Sequence, residues 1–264
     1  RDKATWLEFR RVLFRSNPGN IGKRENVEKV VSLAKQQNIP IRIGINAGSF
    51  EKKLKELDCS LAEKMVMSAE GHIKILEDLD FDKIKVSLKS SEVPTTIEAY
   101  KLFSEKYDYP LHVGVTESGT LKGGLVKSSV GIGSLLSQGI GDTIRVSLTE
   151  NPVEEVHAGY AILKALNLRQ RGVNFVSCPT CGRTQIDLIG LAKKVEERFK
   201  DLDANITIAT MGCPVNGPGE AQHADFGIAG AINEGYIFKK GEIIARVAED
   251  KLLDELEKLI KASL

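Results

Sequence analysis

The sequence predicts an α/β protein in two parts, a parallel sheet with helices outside it and then a smaller α+β domain. Between residues 24 and 166, short β-rich runs alternate with longer amphipathic stretches, which is typical of consecutive βα units. After Leu166 a short polar connector (167–172) leads into a region where this regular alternation stops. With 264 residues, 42% of them hydrophobic, the chain is long enough to bury a sizeable core.

Four βα units are legible in the first part, and a helix over 24–37 precedes them. The predicted strands are 39–45, 82–88, 110–115 and 143–148, and the predicted helices are 61–79, 91–107, 126–138 and 152–166. Pro94 is tolerable in the first turn of its helix. Four units are half of an eight-stranded barrel, so the pattern leaves open whether the sheet is open or part of a barrel.

Polar or charged residues stand where each predicted strand of the first part ends. They are Arg42 and Asn46, Lys89, Thr116 and Glu117, and Arg145 and Ser147. Such residues can simply mark wet loops, but the carboxyl ends of parallel strands are also where active sites form. The three cations at this rim suit a phosphate or diphosphate, since Arg offers planar bidentate donors.

The second part alternates less regularly and reads as a small α+β domain. Its predicted strands are 174–177, 206–210, 226–229, 235–238 and 243–247, its helices are 185–200 and 250–262, and a Gly-rich loop lies at 212–219.

The 37 basic side chains nearly cancel the 36 acidic ones, which gives no electrostatic reason to expect a nucleic acid or an anionic membrane. No apolar run reaches the roughly 18 residues of a membrane span. We therefore expect a soluble protein. Four cysteines in so long a chain do not form a disulfide scaffold, so a reducing compartment is expected, where clustered cysteines indicate metal or redox chemistry.

Three of the cysteines lie in Gly- and Pro-containing loops. Cys178 and Cys181 form a C-x-x-C between a strand and a helix, and Cys213 follows another strand. A thioredoxin-like pair would leave Cys213 unexplained. A zinc site with His223 would need an unusually long ligand spacing. The cysteines could also be plain core residues.

An iron–sulfur cluster would account for all three cysteines, because thiolates suit such clusters and Gly-rich loops let N–H groups approach the sulfurs. One iron would then need another ligand and could act as a Lewis acid towards a substrate oxygen. Glu220, seven residues after Cys213, is the candidate carboxylate, although an acidic loop residue is often only solvated.

The motifs CPTCGR (178–183), MGCPVNGPGEA (211–221), NPGNIG (17–22), IRIGINAGS (41–49) and RVSL (145–148) together resemble the 4-hydroxy-3-methylbut-2-enyl diphosphate synthase family. The resemblance runs from Asn17 to about residue 260. It implies a TIM-type (β/α) barrel, partial here, followed by an α+β domain of the sulfite and nitrite reductase type. It also implies the reductive dehydration and ring opening of 2-C-methyl-D-erythritol 2,4-cyclodiphosphate in isoprenoid biosynthesis.

The resemblance also assigns roles to individual residues. It implies a [4Fe–4S] cluster held by Cys178, Cys181, Cys213 and a displaceable Glu220. It implies diphosphate binding by Arg42, Asn46, Lys89, Arg145 and Ser147. It also implies that Thr116 and Glu117 lie near the reacting carbons, with Glu117 as proton donor. Reduced ferredoxin or flavodoxin as electron donor, a homodimer and the bacterial cytoplasm are implied as well.

Residues 1–16 depart from the pattern, because they are basic, contain no signal-peptide core and show no strand or cap before the turn at 17–20. We expect a non-native junction there, a partial barrel over 17–168 and a cluster domain over 173–264. Arg15 falls where the family has an Arg, and Cys59 matches no family motif. Because the family has further βα units before Asn17, we expect poor solubility or no activity from this chain alone, although the full-length protein should be active.

Two other functions fit parts of the sequence. A non-catalytic electron carrier would need the cysteines but not the cationic rim. A zinc-stabilised phosphosugar aldolase or isomerase could use Lys89 as a Schiff base.

Overall fold

The computed structural model describes residues 24–48, 54, 56–214 and 221–264, and the backbone of 14–16. The chain divides into two compact units between Leu168 and Arg169. Each unit has its own hydrophobic core: one core draws on residues between 27 and 162, the other on residues between 173 and 260. No helix in the described parts of the chain is long and apolar enough to cross a membrane.

The first unit consists of five β-strands, each followed by a helix, within the described residues. They are β1 (Phe14–Ser16), α1 (Arg24–Gln37), β2 (Ile41–Asn46), α2 (Leu61–Asp78), β3 (Ile84–Lys89), α3 (Val93–Lys106), β4 (His112–Val113), α4 (Leu121–Leu136), β5 (Thr143–Ile144) and α5 (Pro152–Ala165). No strand was predicted before residue 24, and β1 shows that this prediction was wrong. Arg15 pairs in register with Arg42 in β2.

The strands of the first unit follow one another in chain order and run parallel. β1, β2 and β3 form one sheet, β4 and β5 another, and a parallel bridge between Val86 and Leu111 connects the two. A doubly wound sheet reverses its strand order at a switch point, whereas a barrel advances steadily. Because crossovers are right-handed, a steady advance also places all the helices on one side. The topology is that of a segment of a barrel.

Two predictions for the first unit were wrong in detail. β4 and β5 are only two residues long, although the N–H of Arg145 still donates to the carbonyl of Val113 at 2.9 Å beyond them. Helix α4 starts at Leu121, five residues before the predicted start, and so includes Gly123 and Gly124. Glycine disfavours helices, but a Cβ on Gly124 would lie 2.5 Å from Leu148, so close packing requires glycine there.

The second unit is a five-stranded mixed sheet with two helices in its described residues. Its elements are β6 (Asn174–Ser177), α6 (Leu188–Phe199), β7 (Thr207–Met211), β8 (Phe226–Ala231), β9 (Glu234–Lys239), β10 (Glu242–Ala248), a 3₁₀ turn (Glu249–Lys251) and α7 (Leu252–Ser263). The strand order is β10-β9-β8-β7-β6, with β6, β7 and β8 parallel and the β8–β9 and β9–β10 pairs antiparallel. The α+β prediction is confirmed.

Helix α6 begins at Leu188 and not at the predicted Gln185. The Asp187 side chain caps it by accepting the N–H of Gly190 at 3.0 Å. The N–H of Gln185 donates instead to the carbonyl of Gly212 at 3.0 Å. The three residues before the helix therefore belong to the loop that carries the cysteines.

Candidate functional sites

Alternation along β2 and β3 separates an apolar face from a polar one. The apolar face consists of buried side chains that pack in the core, namely Ile41, Ile43, Ile45, Ile84, Val86 and Leu88. The alternate positions point to the opposite face. There Arg42 is in register with Lys85, and Asn46 with Lys89. The strands thus carry a row of polar side chains along their length, and Arg42 is 7% exposed.

The polar face continues onto β4 and β5. The ammonium of Lys85 donates to Thr143 Oγ1 at 3.4 Å, which links β3 to β5 across β4. His112 of β4 is paired in register with Thr143. The side chain of His112 therefore lies on the face that Lys85 and Thr143 share.

Gly114 has no side chain and so leaves room for the Lys89 side chain at the carboxyl ends of these strands. A Cβ on Gly114 would lie 2.9 Å from Lys89 Nζ and 2.4 Å from the carbonyl oxygen of Arg145. The ammonium of Lys89 thus occupies the space in front of β4, next to the backbone that follows β5. Only glycine fits there.

The pKa of His112 shows how these charges converge. Burial first, and then the nearby charges of Lys89, Arg42, Lys85 and Arg145, lower it from 6.5 to about 3. The structure therefore brings the three predicted cations together with a fourth, Lys85. Four positive charges that act on one imidazole form a site for a multiply charged anion.

Sequence reasoning missed Lys85 and His112 as members of this site. The signal for Lys85 was present, because Lys85, Ser87 and Lys89 alternate with apolar residues along β3. The prediction considered only strand ends and so found Lys89 alone.

The loop after β4 carries the predicted pair Thr116 and Glu117. The N–H of Thr116 donates to the carbonyl of Ser90 at 3.2 Å, which holds this loop to the one after β3. Glu117 is exposed and has a φ of 51°, a left-handed conformation that costs free energy for a residue with a side chain. Such strain is common at functional sites. Ser147 is half-buried in the loop after β5.

The cysteines of the second unit lie in the loops that follow the carboxyl ends of β6 and β7. β6 and β7 are parallel, with Ser177 in register with Thr210, so the loops that follow them emerge side by side. The N–H of Gly212 donates to Cys178 Sγ at 3.2 Å. Cys178 is partly buried, and Cys213 is buried. The first and third predicted ligands thus belong to loops in direct contact.

Cys181 is exposed, and its pKa is lowered. The main cause is the backbone N–H of Arg183, and the side chains of Arg183 and Thr184 add hydrogen bonds that act in the same direction. These hydrogen bonds favour the thiolate, which is the form that binds metals.

Thr184 forms hydrogen bonds within one cysteine loop and packs against the other. Its N–H donates to the carbonyl of Cys181 at 3.0 Å, and its Oγ1 accepts the N–H of Cys181 at 3.2 Å. Its side chain also covers Gly212, where a Cβ would lie 3.0 Å from Thr184 Cγ2. Glycine at 212 is therefore needed for the loops to approach this closely.

The structure bears unequally on the competing hypotheses for the cysteines. Within the described residues, which include the three cysteines and His223, no three His, Cys, Asp or Glu side chains gather closely enough to hold a single ion, and this finding favours neither zinc nor a cluster. His223 is exposed. A thioredoxin-like pair would begin a helix, but α6 begins at Leu188, seven residues after Cys181. Glu220 lies outside the described residues.

Two family models match the chain, one to each unit. The GcpE TIM-barrel domain matches residues 7–160, and the GcpE protein C-terminal domain matches residues 174–262. The chain belongs to the GcpE family. The predicted family resemblance is thereby confirmed, and so is a TIM-type barrel domain followed by a mixed α/β domain. The first match begins within the segment that we expected to be a junction.

Bacterial relatives in this family share more than half of their aligned residues with the chain. The relative from Geobacter sulfurreducens is 57% identical over 251 residues, which are 93% of this chain and 71% of the relative. That from Dehalococcoides mccartyi is 60% identical over 242 residues (92% and 69%), and that from Clostridium perfringens 57% over 248 (94% and 71%). All three are named 4-hydroxy-3-methylbut-2-en-1-yl diphosphate synthase (flavodoxin).

Proposed function

We propose that the chain converts 2-C-methyl-D-erythritol 2,4-cyclodiphosphate into 4-hydroxy-3-methylbut-2-enyl diphosphate in isoprenoid biosynthesis. The relatives are named for synthesis of that product. The observation that carries the proposal is the convergence of four cations on the polar face of the first unit. A non-catalytic electron carrier would have no use for such a face.

The polar face binds the diphosphate. Arg42 and Arg145 offer bidentate guanidinium donors, and Lys85 and Lys89 add compact positive charges. Asn46 is in register with Lys89, so its amide extends the same row of donors. Because Arg42 is buried, its charge is screened less by solvent than a surface charge would be. Ser147 adds a hydroxyl from the loop after β5.

The cysteine loops fit a [4Fe–4S] cluster held by Cys178, Cys181, Cys213 and Glu220. In such a cluster each protein ligand would bind a different iron, so the ligands would not need to converge on a single ion. The N–H of Gly212 already donates to Cys178 Sγ, and hydrogen bonds from Arg183 and Thr184 lower the pKa of Cys181. When bound, the cluster supplies the electrons for ring opening and an iron that a substrate oxygen can approach. Glu220 is the weaker, displaceable ligand.

Glu117 supplies the proton with which a hydroxyl leaves as water. Its exposed side chain is held by a left-handed backbone in a loop fixed through Thr116. A carboxylic acid held close to the leaving hydroxyl is a suitable general acid.

Further parts of the proposal come from the family. The name of the relatives supports flavodoxin as electron donor, with ferredoxin as the chemical equivalent. A homodimer, a bacterial cytoplasmic location and a second unit of the sulfite and nitrite reductase type follow from the resemblance. We also propose the domain bounds 17–168 and 173–264, a division that the two compact units of the chain support.

The decisive experiment is anaerobic purification followed by a visible spectrum, iron and sulfide analysis, and an assay of cyclodiphosphate turnover with reduced flavodoxin. We expect a brown protein with about four irons. Cys213→Ser should remove the colour and the activity, whereas Cys59→Ser, a change at a cysteine outside every motif, should keep both. A colourless protein that contains one zinc would contradict the proposal.

A further inference from the structure

His112 is the one titratable side chain of the described polar face that sequence reasoning gave no role and that is not a cation. Its Nε2 atom is buried and has no hydrogen-bond partner among the residues that the structure describes. Buried polar atoms in folded proteins nearly always have a partner, so an exception calls for an explanation. A ligand on this face is the explanation that chemistry favours.

The strands place His112 in the centre of this face. The bridge between Val86 and Leu111 sets the register of β4 on β3, so His112 lies opposite Ser87, between Lys85 and Lys89 along that strand. On the other side it is in register with Thr143. Lys89 Nζ passes in front of Gly114, which is two residues after His112 and follows β4 directly.

Four cations lower the pKa of His112. Lys85 and Lys89 act from β3, Arg42 from β2 and Arg145 from beyond β5. From α3, the hydroxyl of Tyr100 donates to the His112 carbonyl at 2.6 Å, and burial keeps that phenol protonated by raising its pKa.

The carboxylate of Asp142 lies near the start of this strand. Asp142 accepts the N–H of Leu111 at 2.7 Å, before His112 along β4 and away from Gly114. It therefore holds the start of β4.

We propose that the Nε2 of His112 binds a phosphate oxygen of the diphosphate and that the imidazole takes up a proton as the anion binds. The proposal rests on the proposed function, because it assigns a further binding residue to the same site. In the free chain the imidazole is neutral and adds no fifth positive charge to the face. In the complex it donates a charge-assisted hydrogen bond.

The sign of the pH dependence follows from linkage. The anion offsets the four cations and adds a negative neighbour, so the pKa of His112 is higher in the complex than in the free chain. A group whose pKa rises on binding strengthens binding at low pH, and this gain is lost as pH rises through the pKa of the complex. The contribution of His112 to affinity therefore grows as pH falls from 8 towards about 6.

The test uses the unmodified chain with ¹⁵N-labelled histidine and inorganic pyrophosphate as the probe. NMR shifts of imidazole nitrogens report protonation directly, and the chain has four histidines. Near pH 6.5, the ordinary histidine pKa, we expect one neutral imidazole to become protonated when pyrophosphate saturates the site. This signal should be missing in His112→Gln. If no imidazole responds while pyrophosphate is bound, the proposal is overturned.

Binding constants provide a second test. His112→Gln keeps a side-chain N–H donor but cannot be protonated, so we expect roughly tenfold weaker pyrophosphate binding at pH 6 and a smaller loss at pH 8. The matched control is His157→Gln, which removes an exposed imidazole on α5 that lies 3.7 Å from Glu154 and should change neither value. Equal binding and equal pH dependence of His112→Gln and the unmodified chain would overturn the proposal.

The two proposals fail in different ways. A chain that binds neither pyrophosphate nor the cyclodiphosphate would contradict both of them. A chain that binds and converts the cyclodiphosphate while His112 stays neutral would overturn only the role of His112.

Discussion

Gly114→Ala tests whether the strand ends of the first unit are as closely spaced as the structure shows. The new Cβ would lie 2.4 Å from the carbonyl oxygen of Arg145, whereas ordinary contact begins at 3.4 Å. The backbone after β5 must therefore withdraw by about 1 Å, the difference between these distances. This withdrawal would stretch the 2.9 Å hydrogen bond from the N–H of Arg145 to the carbonyl of Val113.

The expected cost is about 1–3 kcal/mol of unfolding free energy, which is typical of an overpacked core. Lys89 Nζ, only 2.9 Å from the new Cβ, can move at little cost because it ends a flexible side chain. Its movement changes the binding face, however, so pyrophosphate affinity should fall roughly tenfold, about the loss of one charge-assisted hydrogen bond. Stability and binding should thus both decrease.

The assays are urea unfolding followed by circular dichroism and calorimetric titration with pyrophosphate. Gly71→Ala is the matched control, because Gly71 lies within α2 and a Cβ there would meet nothing within 4 Å. That variant should gain about 0.5–1 kcal/mol from helix propensity and bind pyrophosphate normally. If Gly114→Ala unfolded at the same urea concentration as the unmodified chain and bound equally well, the close approach of Lys89 and Arg145 would be refuted.

Four further outcomes are expected. Tyr100→Phe should cost about 1–3 kcal/mol in urea unfolding, since it leaves two buried backbone groups without the phenol that bonds them. Gly212→Ala should lower the iron content measured after anaerobic purification, because the new Cβ would press on Thr184. The free energy of unfolding should fall as pH drops below about 6.5, because His112 binds a proton more readily in the unfolded chain, and His112→Gln should weaken this dependence. Lys85→Met should raise the pKa of His112, measured by NMR, and weaken pyrophosphate binding.

The sequence contained most of the fold because the fold depends on local patterns. α1 and β6 were predicted to the residue, and the apolar positions of β3 alternate as a strand with one buried face requires. The short strands β4 and β5 were overestimated, since their apolar runs 110–115 and 143–148 continue past the two residues that pair regularly.

The sequence did not allow prediction of those site residues whose roles depend on contacts between strands. Lys89 could be found from its place at a strand end, but Gly114 matters only because Lys89 crosses in front of it. His112 is a lone histidine in an apolar run, and nothing local separates it from a core residue. Its role becomes visible only when β3, β4 and β5 lie side by side, because the cations that surround it come from other strands.

Four cations on one face repel each other in the free chain, so the face that binds the diphosphate destabilises the fold that carries it. An anion that binds only the folded chain offsets this repulsion and stabilises the fold by mass action. The two effects predict opposite signs for Lys85→Met, which should weaken pyrophosphate binding yet reduce the repulsion in its absence. A neutral His112 fits the same reasoning, because a fifth charge would add repulsion until the anion is present. Pyrophosphate should accordingly raise the melting temperature of the unmodified chain more than that of Lys85→Met, and equal shifts would show that Lys85 takes no part in binding.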